Sequence, residues 1–366
     1  MPREPEPAVE AVPAQHSDRD FSSIFIGPHG LRAGWAVLLF AGLYFLFREV
    51  VGTLFYAAGL IHDAPADSAP AVLVGELVSF ISLIAAGLVM VLIEDRRISS
   101  YNLADARGVR HTLAGLAAGF VALSVLIAGL AWGGWLRIAP SMMPAAPALR
   151  IGAVWAAAFV IVAMVEEGLF RCYALSTLSR GMNFWWALAA QAAICAYVAL
   201  DPTRHGAMGV YLAAAIGFVP CLVVERKGAR QNAAFWQAAW VTSTFFGFYH
   251  TLNGGENWIG IFAAAGIGFV CCVSVFVTGS ACWAIGCHAA WDWAETYFYG
   301  VADSGLAAQG HLFTAGPAGN PLLSGGADGP EGSVFMVGVI VLLLVLLLVV
   351  YGRTNLKSFP IYHPAD

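Results

Sequence analysis

The sequence predicts an all-α, polytopic membrane protein with about ten transmembrane helices in one bundle and both termini in the cytoplasm. Three observations support this fold class. The chain of 366 residues is 59% hydrophobic and only 11% charged, which is far more apolar than a soluble domain. It contains ten long apolar stretches without the alternating polarity of barrel strands, and such stretches cross lipid as helices. Its Lys and Arg residues collect in alternate loops.

The apolar stretches predict the helices in chain order. Most are long enough to cross a hydrocarbon core of about 30 Å, and the fifth and sixth are near the lower limit. The stretches cover residues 33–60, 70–93, 112–133, 150–178, 184–200, 207–225, 233–252, 257–278, 280–300 and 333–352. Because their number is even, both ends of the chain are expected on the same side of the membrane.

The distribution of Lys and Arg indicates on which side of the membrane the two ends lie. Lys and Arg follow the second, fourth, sixth and tenth stretches, whereas segments 61–69 and 301–332 contain neither. Since cytoplasmic loops carry the excess of Lys and Arg, we predict a disordered cytoplasmic tail over 1–30, a second cytoplasmic tail over 353–366 and an extracytoplasmic loop over 301–332. The expected location is the plasma (inner) membrane, as a multi-pass protein.

Several other classes of site receive no support from the sequence. The seven cysteines form no CxxC pair, and Cys271, Cys272, Cys282 and Cys287 lie in or beside apolar stretches. We therefore interpret the cysteines as small core residues rather than as disulfides or a metal cluster. The chain has no nucleotide-binding loop and no basic patch for nucleic acid, so no nucleic-acid partner is expected.

Two adjacent carboxylates follow the apolar run from Ile151 to Val165. Ionisable groups inside a membrane are costly and are therefore candidates for functional sites. Glu167 and Arg171 are four residues apart with the acid first, so they should share one helical face and neutralise each other. Glu166 points about 100° away from Glu167. Without a partner on its own helix, Glu166 is a candidate general base.

Two histidines fall within apolar stretches. His250 ends a segment that begins at Phe246, and His288 is followed four residues later by Asp292, which should lie on the same helical face. A single membrane histidine commonly forms a structural interhelical hydrogen bond, and a single phenylalanine is usually a packing residue. A glutamate pair with Arg, a histidine and a His/Asp pair on three helices nevertheless form an acid–base set that indicates an active site.

These motifs, in this order, resemble the three signatures of the CPBP family of intramembrane proteases, which includes CAAX prenyl protease 2 and the bacteriocin-processing or immunity (Abi) proteins. The resemblance is clearest over 150–300, preceded by transmembrane helices over 31–133 and followed by a last helix over 333–352. Each motif alone is weak, but three in order in a polytopic chain are specific. The signatures are EExxxR, FxxxH and HxxxN/D, carried here by Glu166, Glu167, Arg171, Phe246, His250, His288 and Asp292.

The resemblance implies a helical catalytic core that hydrolyses a peptide bond of a membrane-anchored protein or peptide. Glu166 and His250 would hold and deprotonate the attacking water. His288 would stabilise the tetrahedral oxyanion, with Asp292 orienting it or itself protonated. The Glu–Arg pair of the first signature would position its helix.

Two departures from the family pattern matter. Family members usually place the second motif about one helix after the first, whereas 84 residues separate Glu166 from His250 here. We therefore expect an inserted helical hairpin over 184–226. The third motif ends in Asp292, where the best-studied members carry Asn. Asn can donate a hydrogen bond to an oxyanion and an ionised Asp cannot. Asp292 would therefore orient His288, or would itself be protonated.

Zinc is the one cofactor that these residues could bind. The family is catalogued among the metalloproteases, yet the chain has no HExxH motif, and water activation by a glutamate requires no ion. Two histidines and one carboxylate can form an open catalytic zinc site. In that case Glu166, His250 and His288 would be the ligands.

Two other functions fit parts of the pattern. A non-proteolytic membrane scaffold or bacteriocin-immunity factor would keep the fold without the water-activating residues, and the intact motifs argue against it. A proton-coupled transporter would use buried acids as relay groups, for which Glu76 and Glu295 are further candidates. No inverted repeat or pair of broken helices supports a transporter. The leading hypothesis is an intramembrane endopeptidase.

Overall fold

The computed structural model describes residues 21–28, 30–61, 65–200, 202–227 and 232–352, without the side chains of 202–208 and 227. Helices dominate this part of the chain. Their bounds are α1 Ala33–Ala57, α2 Ala69–Glu94, α3 Gly108–Trp132, α4 Ala145–Glu167, α5 Leu175–Leu178, α6 Phe184–Leu200, α7 Pro202–Lys227, α8 Ala233–Tyr249, α9 Trp258–Thr278, α10 Cys282–Asp292, α11 Pro321–Ser324 and α12 Met336–Leu347.

Each of the ten predicted apolar stretches contains one of these helices, and the all-α polytopic fold is confirmed. By length and composition, six helices can cross a membrane, and two shorter ones are also apolar. The six are Ala33–Ala57, Ala69–Glu94, Gly108–Trp132, Ala145–Leu178, Gly209–Arg226 and Trp258–Thr278, and the shorter two are Phe184–Leu200 and Met336–Gly352. The count of ten crossings and the side of each terminus stay predictions.

Part of the segment predicted as a disordered N-terminal tail is folded. Its residues 1–20 lie outside the described residues, as does the C-terminal tail over 353–366. Phe21–Ile24 forms a 3-10 helix, and the short strands β1 (Ile26–Gly27) and β2 (Gly30–Leu31) pair as a hairpin. The indole nitrogen of Trp35 in α1 donates to the Ile24 carbonyl at 3.1 Å, so this hairpin is tied to the first helix.

The segment predicted only as a loop over 301–332 also has regular structure. Within it, β4 (Phe313–Pro317) pairs antiparallel with β3 (Leu136–Pro140), which follows α3. The Trp135 and Phe335 rings stack at 4.9 Å beside this small sheet. The backbone hydrogen bonds of the ladder therefore hold the segment against the end of the helical bundle.

Glycines bring α10 directly against α3. An added Cβ at Gly115 would lie 2.1 Å from the Trp283 carbonyl oxygen, and one at Gly119 would lie 2.1 Å from the Cys287 carbonyl oxygen. On the facing helix, Gly286 approaches the α3 backbone equally closely. Small residues four apart let membrane helices approach at backbone distance. This contact fixes the position of α10, the helix that carries the third motif.

Two large apolar clusters form the core. One joins side chains of α1, α2 and α8, and the other joins side chains of α3, α9, α10 and α12. All seven cysteines are free thiols, and five of them are buried. They act as small core residues, as the sequence predicts.

Candidate active site

α4 ends in the two adjacent glutamates and continues as a π-helical turn over Gly168–Ala174. Such wide turns inside helices are frequent at functional sites. Across this turn Glu167 Oε1 lies 3.1 Å from Arg171 Nη1, and both side chains are buried. The ion pair that the spacing predicts is therefore formed. Gly268 of α9 leaves room for the guanidinium, because a Cβ there would lie 2.8 Å from Arg171 Nη2.

Glu167 has a second partner that the sequence does not reveal. Its Oε1 atom also lies 2.9 Å from Nδ1 of His288, on α10. A carboxylate paired with an arginine can only accept hydrogen bonds, so we assign the proton to Nδ1 of His288. The first and third motifs are thereby joined through one oxygen atom, and Glu167 orients the imidazole ring.

The other nitrogen of His288 faces two more carboxylates. Nε2 lies 3.6 Å from Glu166 Oε2 and 3.3 Å from Asp292 Oδ2. The Glu166 side chain is 26% exposed, whereas that of Glu167 is 1% exposed. The two adjacent glutamates therefore occupy different environments, with Glu166 open to solvent and Glu167 enclosed between a guanidinium and an imidazole.

His250 lies just beyond the end of α8, at the start of a 3-10 turn. Its Nδ1 atom is 2.8 Å from the Phe246 carbonyl oxygen. Because a carbonyl only accepts, Nδ1 carries the proton and Nε2 keeps a lone pair in the neutral ring. The Phe246 ring contacts the His250 ring at 4.7 Å and packs under the Arg171 guanidinium at 4.4 Å. Phe246 is thus both a packing residue and a connection between the first two motifs.

A cavity of about 620 Å³ brings the motif residues together. Glu166, Glu167, Arg171, His250, His288 and Asp292 all line it. Direct polar contacts link the residues of the first motif (Glu166, Glu167 and Arg171) with those of the third (His288 and Asp292). His250 contributes to the same cavity without a hydrogen bond or ion pair to the other five in the described part of the chain. A cavity of this size can enclose a short stretch of a ligand.

Further acidic residues line the cavity. Glu76 of α2 is one of them. Glu295, the other acid considered as a relay group, is fully buried and bonded to Trp291. Asp303 and Glu331 also line the cavity, although the sequence predicts their segment only as a loop. The one signal that could have identified them is the presence of acids without Lys or Arg over 301–332.

Among the described residues, the three side chains predicted as zinc ligands are not a group whose ligand atoms all lie within 4.8 Å of one another, although Glu166 and His288 are 3.6 Å apart. The described residues contain a different group of this kind, formed by Glu295, Asp303 and Glu331. Zinc binds His nitrogen and carboxylate oxygen at about 2.0–2.2 Å, so Glu166, His250 and His288 would have to move together to share an ion. The zinc requirement stays a prediction.

Residues 148–230 and 227–294 match the model of the Rce1-like family, described as type II CAAX prenyl endopeptidases. These two segments contain all three motifs. The match supports the resemblance to the CPBP family of CAAX proteases that the motifs indicate. At the level of the family, the match supports protease activity of the CAAX type. No curated protein and no solved structure matches the chain.

Proposed function

We propose that this protein is an intramembrane endopeptidase that hydrolyses a peptide bond of a membrane-anchored protein or peptide in the plasma (inner) membrane. The observation that carries the proposal is the environment of His288. Glu167 holds Nδ1 at 2.9 Å, while Nε2 lies beside Glu166 and Asp292 at the wall of the cavity. A fixed imidazole next to a solvent-accessible carboxylate is the arrangement that water activation requires.

Glu166 is the proposed general base. It is the more exposed member of the glutamate pair, and its neighbour Glu167 is already paired with Arg171. Glu166 accepts a proton from a water molecule as the water oxygen forms a bond to the carbonyl carbon of the substrate. His250 Nε2 orients the same water by accepting a hydrogen bond from it, because its own Nδ1–H is committed to the Phe246 carbonyl.

His288 is the proposed group that stabilises the oxyanion. Three carboxylates surround its ring, at 2.9, 3.3 and 3.6 Å, and this negative environment favours the doubly protonated imidazolium. Its Nε2–H donates to the substrate oxygen as negative charge develops there. When the C–N bond breaks, the proton held by Glu166 passes to the leaving nitrogen. The products are a carboxylic acid end and an amine end of the cleaved chain.

The cavity walls suggest how a membrane-anchored substrate is accommodated. Val72 of α2 and Phe159 and Val162 of α4 form an apolar side, and the motif residues form the polar side. An apolar wall offers a surface for the hydrophobic flank of a substrate, and the polar groups act on its backbone. The CAAX prenyl substrates named by the family description are one case of such a membrane-anchored peptide.

The proposal is tested with the full-length protein reconstituted into liposomes and mixed with solubilised membrane proteins. New N-termini are identified by mass spectrometry. We expect defined cleavage products with the wild type and none with Glu166→Gln. Glu49→Gln is the matched control, because Glu49 is an exposed acid on α1, and it should cleave like the wild type. Identical product sets from the wild type and Glu166→Gln would refute the proposed base.

A further inference from the structure

A second cluster of carboxylates lies beside the candidate active site. Glu295 belongs to the π-helical turn Trp293–Tyr299 that extends α10, Asp303 follows that turn, and Glu331 lies in the 3-10 turn before α12. One oxygen from each side chain lies within 4.8 Å of the others. Asp303 and Glu331 reach the cavity, whereas Glu295 is fully buried. None of the three belongs to the protease motifs.

Few hydrogen-bond donors reach this cluster. The single indole proton of Trp291 is shared between Glu295 Oε2 at 2.9 Å and Glu331 Oε1 at 2.7 Å. Among the described residues, two hydroxyl groups are the remaining donors: Thr296 Oγ1 donates to Asp303 Oδ2 at 3.1 Å, and Ser304 Oγ donates to Glu331 Oε2 at 2.8 Å. Glu295 Oε1 is buried and has no hydrogen-bond partner among the described residues. A buried carboxylate oxygen without a partner is a costly feature.

Cationic side chains do not compensate the cluster. Segment 301–332 contains three acids and no Lys or Arg, and within the described ranges no Lys, Arg or His forms an ion pair with Glu295, Asp303 or Glu331. Either protons or a metal ion must therefore neutralise it.

We propose that Glu295, Asp303 and Glu331 bind a Ca²⁺ ion. The donor set is entirely oxygen, which suits a hard cation rather than zinc. Since Ca²⁺–oxygen distances are about 2.3–2.6 Å, two oxygens that bind the same ion lie no more than about 5 Å apart. The three carboxylate oxygens of this group lie within 4.8 Å of one another and therefore satisfy this condition. The unpartnered Glu295 Oε1 supplies a ligand, and the adjoining cavity admits the water that completes six to eight positions.

The ion connects three separated parts of the chain. It joins the end of the α10 helix to the start of the 301–332 segment through Asp303, and to the turn before α12 through Glu331. The segment is thereby held against the cavity. Because the sequence predicts this segment on the extracytoplasmic side, a dissociation constant of about 10⁻⁴–10⁻³ M, as in extracellular Ca²⁺ modules, is sufficient.

Thermal unfolding of the full-length protein in detergent tests the site. The protein is stripped with EGTA and then titrated with Ca²⁺ from about 10⁻⁵ to 10⁻¹ M, and binding is measured in parallel by calorimetry. At about 100-fold excess over the dissociation constant, we expect the melting temperature to rise by about 5 °C. Glu295→Gln and Asp303→Asn should abolish this rise, because an amide oxygen is a weaker ligand without charge.

The matched control is Asp67→Asn. Asp67 also lines the cavity and accepts a hydrogen bond from Gln309 at 3.2 Å, but it is not part of the cluster. This variant should keep the full Ca²⁺ response. Absence of saturable Ca²⁺ binding to the wild type, an equal response in Glu295→Gln, or a response to Mg²⁺ alone would each overturn the proposal. No substrate is used, so the outcome is independent of whether the protein is a protease.

Discussion

Nδ1 of His288 donates to Glu167 Oε1 at 2.9 Å, and the same oxygen accepts from Arg171 at 3.1 Å. The second glutamate of the first motif is therefore a positioning residue for the third motif. This contact explains why two adjacent carboxylates are needed at the end of α4. One is fixed between two cationic partners and holds the imidazole, and the other remains open to the cavity for chemistry.

We expect Glu167→Gln to lose both stability and activity. The substitution leaves the guanidinium of Arg171 buried without its counter-charge, and breaking a buried pair in this way costs about 3–5 kcal/mol. Glu166→Gln should instead lose activity at nearly unchanged stability, because Glu166 is partly exposed. Melting temperature and cleavage are measured on both variants. Near wild-type cleavage by Glu166→Gln, together with an inactive but folded Glu167→Gln, would show that the base is assigned to the wrong glutamate.

Asp292→Asn should retain substantial activity. Asn keeps the size of the side chain and can donate a hydrogen bond near the oxyanion, while Glu167 continues to hold His288. Activity is measured with and without a chelator, followed by addition of zinc or Ca²⁺. If the variant is inactive, and zinc alone restores the chelated wild type, then a metal-dependent mechanism replaces the one proposed here.

Gly119→Ala should destabilise the protein and reduce cleavage. The new Cβ would lie 2.1 Å from the Cys287 carbonyl oxygen, so α3 and α10 must separate, and overpacking of this kind costs about 1–3 kcal/mol. The shift also displaces His288. Gly129→Ala is the control on the same helix, since no atom lies within 4 Å of its added Cβ. Equal melting temperatures for the two variants would contradict the proposed helix contact.

Asp328→Asn should stabilise the protein at high pH, measured in EGTA so that no cation contributes. Burial raises the pKa of Asp328 to about 7, from an ordinary value of 3.8. The native state therefore binds more protons than the unfolded state between these values, and the stability contributed by this group is lost as pH rises through about 7. The melting temperature of the variant should match the wild type near pH 4 and exceed it near pH 8.

The neighbouring acid provides a second test of this pH effect. Burial, together with the adjacent Asp328, raises the pKa of Glu256 to about 10, so Glu256 stays protonated at neutral pH. The carboxyl group ionises near its ordinary value of 4.5 in the unfolded state, and Gln does not titrate. Glu256→Gln should therefore match the melting temperature of the wild type near pH 4 and exceed it near pH 8. A wild-type-like pH response in Asp328→Asn would show that this group does not titrate as described.

Much of the fold could be predicted from the sequence. Each predicted apolar stretch contains a helix because lipid leaves a single chain little alternative for its backbone hydrogen bonds. The i,i+4 pairs Glu167–Arg171 and His288–Asp292 follow from helical geometry alone, and both are present. The short sheet between β3 and β4 could not be predicted in the same way, since its strands are far apart in sequence and are brought together by the bundle.

What the sequence by itself determined is the membrane class, the helices and the set of acid–base residues, because hydropathy and helical spacing are local properties of the chain. Only the tertiary structure decided how these residues combine. It placed Nδ1 of His288 on Glu167, left His250 on the cavity wall without a bond to the other motif residues, and joined Glu295 to Asp303 and Glu331. These relations depend on the close approach of α3 and α10 and on the docking of the 301–332 segment, which are contacts between residues distant in sequence and so leave no periodic signal along the chain.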